Sequence, residues 1–253
     1  MVCRMEEELD IREILASGKE LDKILVYAMR DEEVLKQVIS YLDDDLWIVA
    51  KNALLVILEV AKEKPELYEP LISKLMVMIR KSEAVPLTQE IARAFGVLSK
   101  EEPEMVRKVV PIIFASYRIG NWKIRVNMGY VLEEIIRANP LLLGDIIKDI
   151  SHLLTSKESA DKLAALNFIS ALSENSFRYV SPFLPKLLNL LCDKDPIVRA
   201  ATVETLVELG VKNKGFRKIV LAKLQDLKDT DSLVNRKIKE GISRLSLQER
   251  SSL

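Results

Sequence analysis

FLPKLLNLLCDKDPIVRAATVETLVELG, residues 183–210, is the stretch that decides the fold. Asp195-Pro196 reads as a helix N-cap followed by proline at the first helical position, where the missing N–H would have had no partner. Val198 then opens a segment in which Leu206 and Leu209 follow after eight and eleven residues. These positions share one face of an α-helix, so the segment is amphipathic at the helical period. Gly210 comes next, where a C-cap glycine is expected. The run before Asp195 is a second helical segment, so the stretch predicts a helical hairpin.

Working outward, an apolar landmark equivalent to Val198 recurs at Val49, Leu87, Ile124, Leu163, Val198 and Val234, with steps of 38, 37, 39, 35 and 36. Eight residues after each come Ile57, Phe95, Leu132, Ala171, Leu206 and Ile242; eleven after come Val60, Leu98, Ile135, Leu209 and Leu245, with Glu174 the one miss. The fourth unit is therefore expected to carry a one-residue shift. Pro65, Pro103 and Pro140 open a second set of helix-like runs between these segments, and Asn121 and Asp231 stand at the junction that Asp195 occupies. No sustained period-two alternation appears, so no strands are expected.

One hairpin cannot bury its own apolar stripe, and stacking neighbours is what makes such a chain stable. The expected fold is all-α, an α-solenoid of about six antiparallel helical hairpins. Residues 1–30 are expected to form an N-terminal cap of two short helices separated by Gly18. Residues 31–246 read as one continuous repeat array, and 247–253 as a tail.

A hydrophobic content of 49% with only nine Pro and eight Gly indicates an ordered, core-forming chain. The longest stretch without charge, Leu163 to Ser173, is too short to span a bilayer. The N-terminus turns acidic at residue six and lacks an apolar signal core, so export is not expected. Cys3 and Cys192 lie at opposite ends, which fits a reducing cytoplasm. Abundant charge with scarce Gln fits a heat-adapted protein. Net charge is zero but unevenly spread: residues 1–70 hold nine Lys/Arg against seventeen Asp/Glu, and residues 211–245 hold ten against four.

Residues 183–210 resemble the HEAT repeat. The marks are Pro185 inside the first helix, Asp193 and Pro196 at the turn, and Val198-Arg199 followed by Ala200 and Ala201. Pro111 lies two repeats before Pro185, Ile124-Arg125 matches Val198-Arg199, and Asp229, Asp231, Val234 and Asn235 echo the pattern with Asn replacing Arg. The second and third hairpins largely lack the Asp/Arg marks. The resemblance implies a right-handed solenoid with first helices on the convex side and second helices lining the concave side. It also implies a scaffold or binding surface for proteins, since few HEAT-like proteins bind nucleic acid and very few are enzymes. In HEAT arrays such arginines bond turn aspartates of neighbouring units, so the resemblance implies a ladder from Arg125 and Arg199 to Asp193 or Asp195.

Chemistry-bearing constellations are scarce. His152 is the one histidine, and with two remote cysteines it offers no imidazole/thiolate metal cluster. The paired His-Glu motifs of deoxyhypusine hydroxylase, a HEAT-like enzyme, are missing, as are phosphate-cradling glycine loops and a nucleophile elbow. Gly96, Gly129 and Gly241 read as close-packing positions within helices. Glu6-Glu7-Glu8, Asp31-Glu32-Glu33 and Asp43-Asp44-Asp45 lack the pattern of a Ca²⁺ loop, and the last two read as helix-start charges. No catalytic, cofactor-binding or metal-binding residue is expected.

Trp47 and Trp122 stand where Pro196 stands in the fifth unit, either as a stacking platform or as covers for the adjacent turn. Lys212, Lys214, Arg217 and Lys218 at one helix start, with Arg236, Lys237, Lys239 and Arg244 on the last helix, form a basic end. It reads as a solvated cap, as a patch for phosphate or an acidic protein, or as the partner of the acidic end of a second copy. The expected function is a non-enzymatic cytoplasmic scaffold that binds a protein through its concave surface. Its candidate contacts are Lys51, Arg93, Lys123, Arg125, Lys162, Arg199, Arg236 and Lys239, with Trp47 and Trp122. The alternative is a nucleic-acid-binding solenoid using the basic C-terminal repeat. One alkylpurine DNA glycosylase family is HEAT-like, but no motif here maps onto its Trp, Asp and Arg, and zero net charge argues against a long phosphate groove.

Overall fold

The computed structural model describes residues 10–144 and 146–250. Cys3 and Glu6-Glu7-Glu8 lie outside the described residues. Two short helices come first, α1 (Ile11–Ser17) and α2 (Leu21–Arg30), broken at Gly18, whose φ of 69° is left-handed backbone that suits glycine. Six hairpins follow: α3 (Glu32–Ser40) with α4 (Trp47–Glu63), α5 (Tyr68–Lys81) with α6 (Val85–Glu101), and α7 (Pro103–Ile119) with α8 (Trp122–Ala138). Next are α9 (Ile147–Leu153) with α10 (Ser159–Ser173), then α11 (Phe177–Val180) and α12 (Leu184–Leu190) with α13 (Pro196–Lys212), and last α14 (Lys214–Asp226) with α15 (Ser232–Arg250). Among the described residues there is no strand. The fold class is all-α, an α-solenoid of stacked helical hairpins.

Two compact units divide these helices: Met1–Val106 with Ala115–Val131, and Arg107–Phe114 with Leu132–Leu253. In the first, α4 packs against α1, α2, α3 and α6. Its core holds Leu15, Ile24, Val49, Ile57, Phe95 and Leu98, all buried. In the second, α13 packs against α10, α12, α14 and α15 around buried Ile169, Leu172, Val198, Leu206, Leu209 and Leu245. Burying one such side chain stabilises by roughly 1.5–3 kcal/mol, so the stripe read from the sequence is the main support of each hairpin.

The repeat is more regular in space than in sequence. The second helices begin at residues 47, 85, 122, 159, 196 and 232. Landmarks lie two residues inside each helix except in the fourth unit, where that position is Asp161 rather than Leu163. The expected one-residue shift is therefore a two-residue one. Counting from Asp161, the eighth and eleventh residues are Ile169 and Leu172, both buried, and the Glu174 miss disappears. Asp161 accepts a hydrogen bond from Ser156 Oγ at 2.8 Å, which allows a carboxylate at an otherwise apolar position.

Four further expectations are corrected. Gly210 does not end α13; the helix continues to Lys212, and the glycine is a packing position within it, where a Cβ would stand 3.1 Å from Leu245 Cδ2. Pro65 and Pro140 open short 3₁₀ turns before α5 and α9, and only Pro103 starts an α-helix directly. Gly241 is tightly packed, with Val207 Cγ2 2.6 Å from a built Cβ, but Gly129 has nothing within 4 Å, so close packing does not account for it. Residues 247–250, read as tail, continue α15, and the Gln248 carbonyl accepts from Arg217 Nη1 at 2.9 Å.

Candidate functional site

Two sets of polar side chains join successive hairpins. One satisfies the carbonyls left without partners at helix C-termini. Asn52 Nδ2 donates to Leu15 O at 2.7 Å; Asn127 Nδ2 donates to Ile79 O and Ser82 O at 2.9 and 3.1 Å; Asn175 Nδ2 donates to Ile136 O and Arg137 O at 3.1 and 3.0 Å. Arg217, read as part of a basic patch, is instead buried and donates to the carbonyls of Gly210, Val211 and Gln248 at 3.0, 3.0 and 2.9 Å.

The other set lies three residues before a second helix. Asp44, Asp193 and Asp229 each accept the N–H two residues on, from Leu46, Asp195 and Asp231 at 2.9, 3.0 and 2.8 Å. Each also takes a cation from the preceding hairpin or cap: Arg12 on Asp44 at 2.7 Å, Lys162 on Asp193 at 2.5 Å, Arg199 on Asp229 at 2.6 Å. The hydrogen bonds from Arg12 and Arg199 hold the Asp44 and Asp229 carboxyls below the usual carboxylate range. Burial pushes Asp193 upward, but the Lys162 ammonium and the Asp195 N–H outweigh it and the net shift is downward. The expected ladder exists with other partners. Arg199 reaches Asp229 of the next unit, and only the backbone carbonyl of Asp193, at 2.8 Å. Arg125 lies 5.4 Å from the centroid of Tyr117.

The candidate contacts fall into two groups. Lys162 and Arg199 are largely buried and engaged in the ladder, so they are not available to a partner. The rest reach solvent on the second helices of the first three hairpins and of the last one. In the first unit, Arg93 is paired with Glu90 at 3.1 Å and Lys123 with Glu83 at 2.7 Å, while Lys51 is half-buried. In the second unit, Arg236 approaches Glu240 at 3.9 Å and Lys239 is exposed. Lys237 is tied to Glu204 at 2.5 Å and Lys212 to Ser173 Oγ at 2.8 Å, which further reduces the basic end. The groove of about 360 Å³ between α13 and α15 is lined by Glu204 and Glu240, both of which pair with Lys237.

Trp47 and Trp122 are the first residues of α4 and α8, 41% and 78% exposed. Val85 opens α6 in the same way, and Ile119, at the turn position of the third hairpin, is 86% exposed. Val85 and Ile119 escaped the sequence reading. Aligning the turn positions shows the anomaly: Asp44, Ser82, Ser156, Asp193 and Asp229 are polar and Ile119 is not. Among the described residues no group of three or more His, Cys, Asp or Glu is placed to hold a metal ion, and no helix is long and apolar enough to cross a membrane.

These features define a helical-hairpin repeat protein whose side-chain chemistry joins repeats. Two stretches match repeat models: the HEAT repeat model matches residues 183–211, and a model described as the repeat of uncharacterized protein PH0542 matches residues 43–87. No curated protein matches the chain. Among solved structures, the chain is similar to an archaeal HEAT-like repeats protein from Thermococcus onnurineus NA1, at 13% identity and a TM-score of 0.45, covering 94% of this chain and 96% of that one. A designed armadillo repeat protein in complex with the peptide (KR)4 is similar at 14% identity and a TM-score of 0.43, covering 83% and 98%.

Proposed function

We propose that this chain is a non-enzymatic scaffold that binds a protein partner over the surface of its second helices, the side that the family resemblance makes concave. One observation carries the reading. The solvent-facing candidates Trp47, Arg93 and Trp122 lie on the three consecutive second helices that begin in the first unit, and Arg236 and Lys239 on the last helix of the second, while Lys162 and Arg199 on the two hairpins between are held in the turn ladder. That distribution suits an extended partner better than a small substrate. An unpaired, exposed Cys192 agrees with a reducing cytoplasm, and the ion-paired turns agree with heat adaptation. The test is crosslinked affinity capture from source cells with the wild-type chain and with the Arg236→Glu/Lys239→Glu variant. Specific partners retained equally by both would remove the C-terminal surface from the interface.

The exposed Lys214, Lys218, Arg236 and Lys239 keep a second reading open to measurement, the binding of nucleic acid at the C-terminal repeat. Anisotropy of labelled duplex DNA and structured RNA tests it. Sub-micromolar binding with a steep salt slope, abolished in the same variant, supports that reading; no binding at low salt eliminates it.

A further inference from the structure

We propose that the start of α8, in the first unit, is a docking site for an acidic protein segment that presents a large apolar anchor. The site deepens the scaffold reading and rests on it. Trp122 and Val126 are four residues apart on one face of α8, Ile119 is the last residue of α7 just across the turn, and all three are exposed. At the position of Ile119 the other turns carry Asp or Ser, and Asp44, Ser156, Asp193 and Asp229 each accept the N–H two residues on. Isoleucine forgoes that bond and leaves its side chain in water. Gly120 follows it at a point where a Cβ would stand 2.6 Å from both Ile124 Cγ2 and Ser116 O, so this turn is built more tightly than a side chain would allow. Large apolar side chains left this exposed on both sides of a turn, at the expense of the turn's own hydrogen bond, mark an interaction surface.

The surrounding charge selects the occupant. Residues 80–83 and 116–126 carry five cations and one carboxylate, within a unit whose residues 1–70 are strongly acidic. Lys123 Nζ bonds Glu83 at 2.7 Å and Arg80 Nη2 bonds Ser116 Oγ at 3.2 Å, which brings these two stretches together. Lys81 and Arg118 hold the same place in successive turns, and neither is ion-paired among the described residues. The N-terminal end of α8 adds a favourable dipole for an anion. A short acidic segment matches this local field. A polynucleotide, charged at every residue, meets the acidic remainder of the unit, and an aliphatic side chain such as Ile119 offers no stacking face.

The test uses the full chain carrying Trp47→Phe, which leaves Trp122 as the sole tryptophan and its emission as the reporter. The probes are a synthetic Asp/Glu-rich peptide containing Phe and Leu, the same peptide with Lys in place of the acids, and a dT oligomer. The acidic peptide is expected to shift Trp122 emission to the blue and to saturate. Ile119→Asp restores the turn residue of the other repeats and is expected to melt no lower, while weakening the peptide at least tenfold; Lys81→Glu/Arg118→Glu is expected to do the same. Equal binding of the Lys peptide, binding of the dT oligomer without the acidic peptide, or an unperturbed Trp122 with every probe would each overturn the proposal. Partner capture that depends on Arg236 and Lys239 but survives Ile119→Asp would overturn this site and leave the scaffold standing.

Discussion

Single residues show which polar groups the array cannot lose. Arg217 lies buried against the carbonyls of Gly210, Val211 and Gln248, so Arg217→Ala leaves helix-end acceptors short of donors. Equilibrium denaturation should register a loss of roughly 2–3 kcal/mol, since hydrogen bonds from a charged donor are the stronger kind. The glycines give a paired prediction. Gly129→Ala adds a methyl where nothing lies within 4 Å and removes the backbone freedom of glycine from a helix interior. It should raise stability by about 0.5–1 kcal/mol. Gly241→Ala puts the methyl 2.6 Å from Val207 Cγ2 and should lower the melting temperature. The sequence marked both glycines as helical, but whether another segment packs against each is decided elsewhere in the chain, and so the signs of the two effects were not legible there.

At the scale of elements, the turns before α4, α13 and α15 couple one hairpin to the next through Asp44, Asp193 and Asp229. All three carboxyls are held below their ordinary range, so their contribution is present above the unfolded-state value and is lost as pH falls through the folded one. Glu133 acts in the opposite direction. Burial raises its pKa against the pull of Arg137, so protonation on acidification favours the folded form. Glu83, bonded by Lys123, and Asp195, bonded by Ser159, are also held low, so five carboxyls against one predict a denaturation midpoint that drops below roughly pH 4. Asp229→Asn should be less stable at neutral pH and show a shallower acid limb. A double-mutant cycle on Arg199 and Asp229 should return a coupling of roughly 1.5–3 kcal/mol, since the pair is bidentate at 2.6 and 2.8 Å. The Asp and Arg marks were readable in residues 183–210, but their pairing was not. Arg199 passes over the nearer Asp193 and Asp195 side chains because the next hairpin brings Asp229 to its guanidinium.

At the scale of the whole molecule, stability in a repeat array is the sum of each hairpin and its interfaces with neighbours. Leu206 is buried in α13, and Leu206→Ala should cost roughly 2–5 kcal/mol. Hydrogen exchange should show the loss of protection greatest in α13 and in its packing partners α10, α14 and α15. Uniform loss along the chain would indicate one cooperative block instead of coupled repeats. The sequence by itself determined the helical hairpin, its period and its buried stripe, because α-helical burial follows spacing along the chain and hydrogen bonds close within each helix. It missed the fourth register, where Asp161 stands in a place usually taken by an aliphatic residue and a periodic search passes over it. Only the tertiary structure decided which charges are available. Lys162, Arg199 and Arg217 look like surface cations in the sequence, yet stacking surrounds them with carboxylates and carbonyls, whereas it leaves Ile119 and Trp122 in water. Exposure depends on what neighbouring repeats place against a side chain, and that information is non-local.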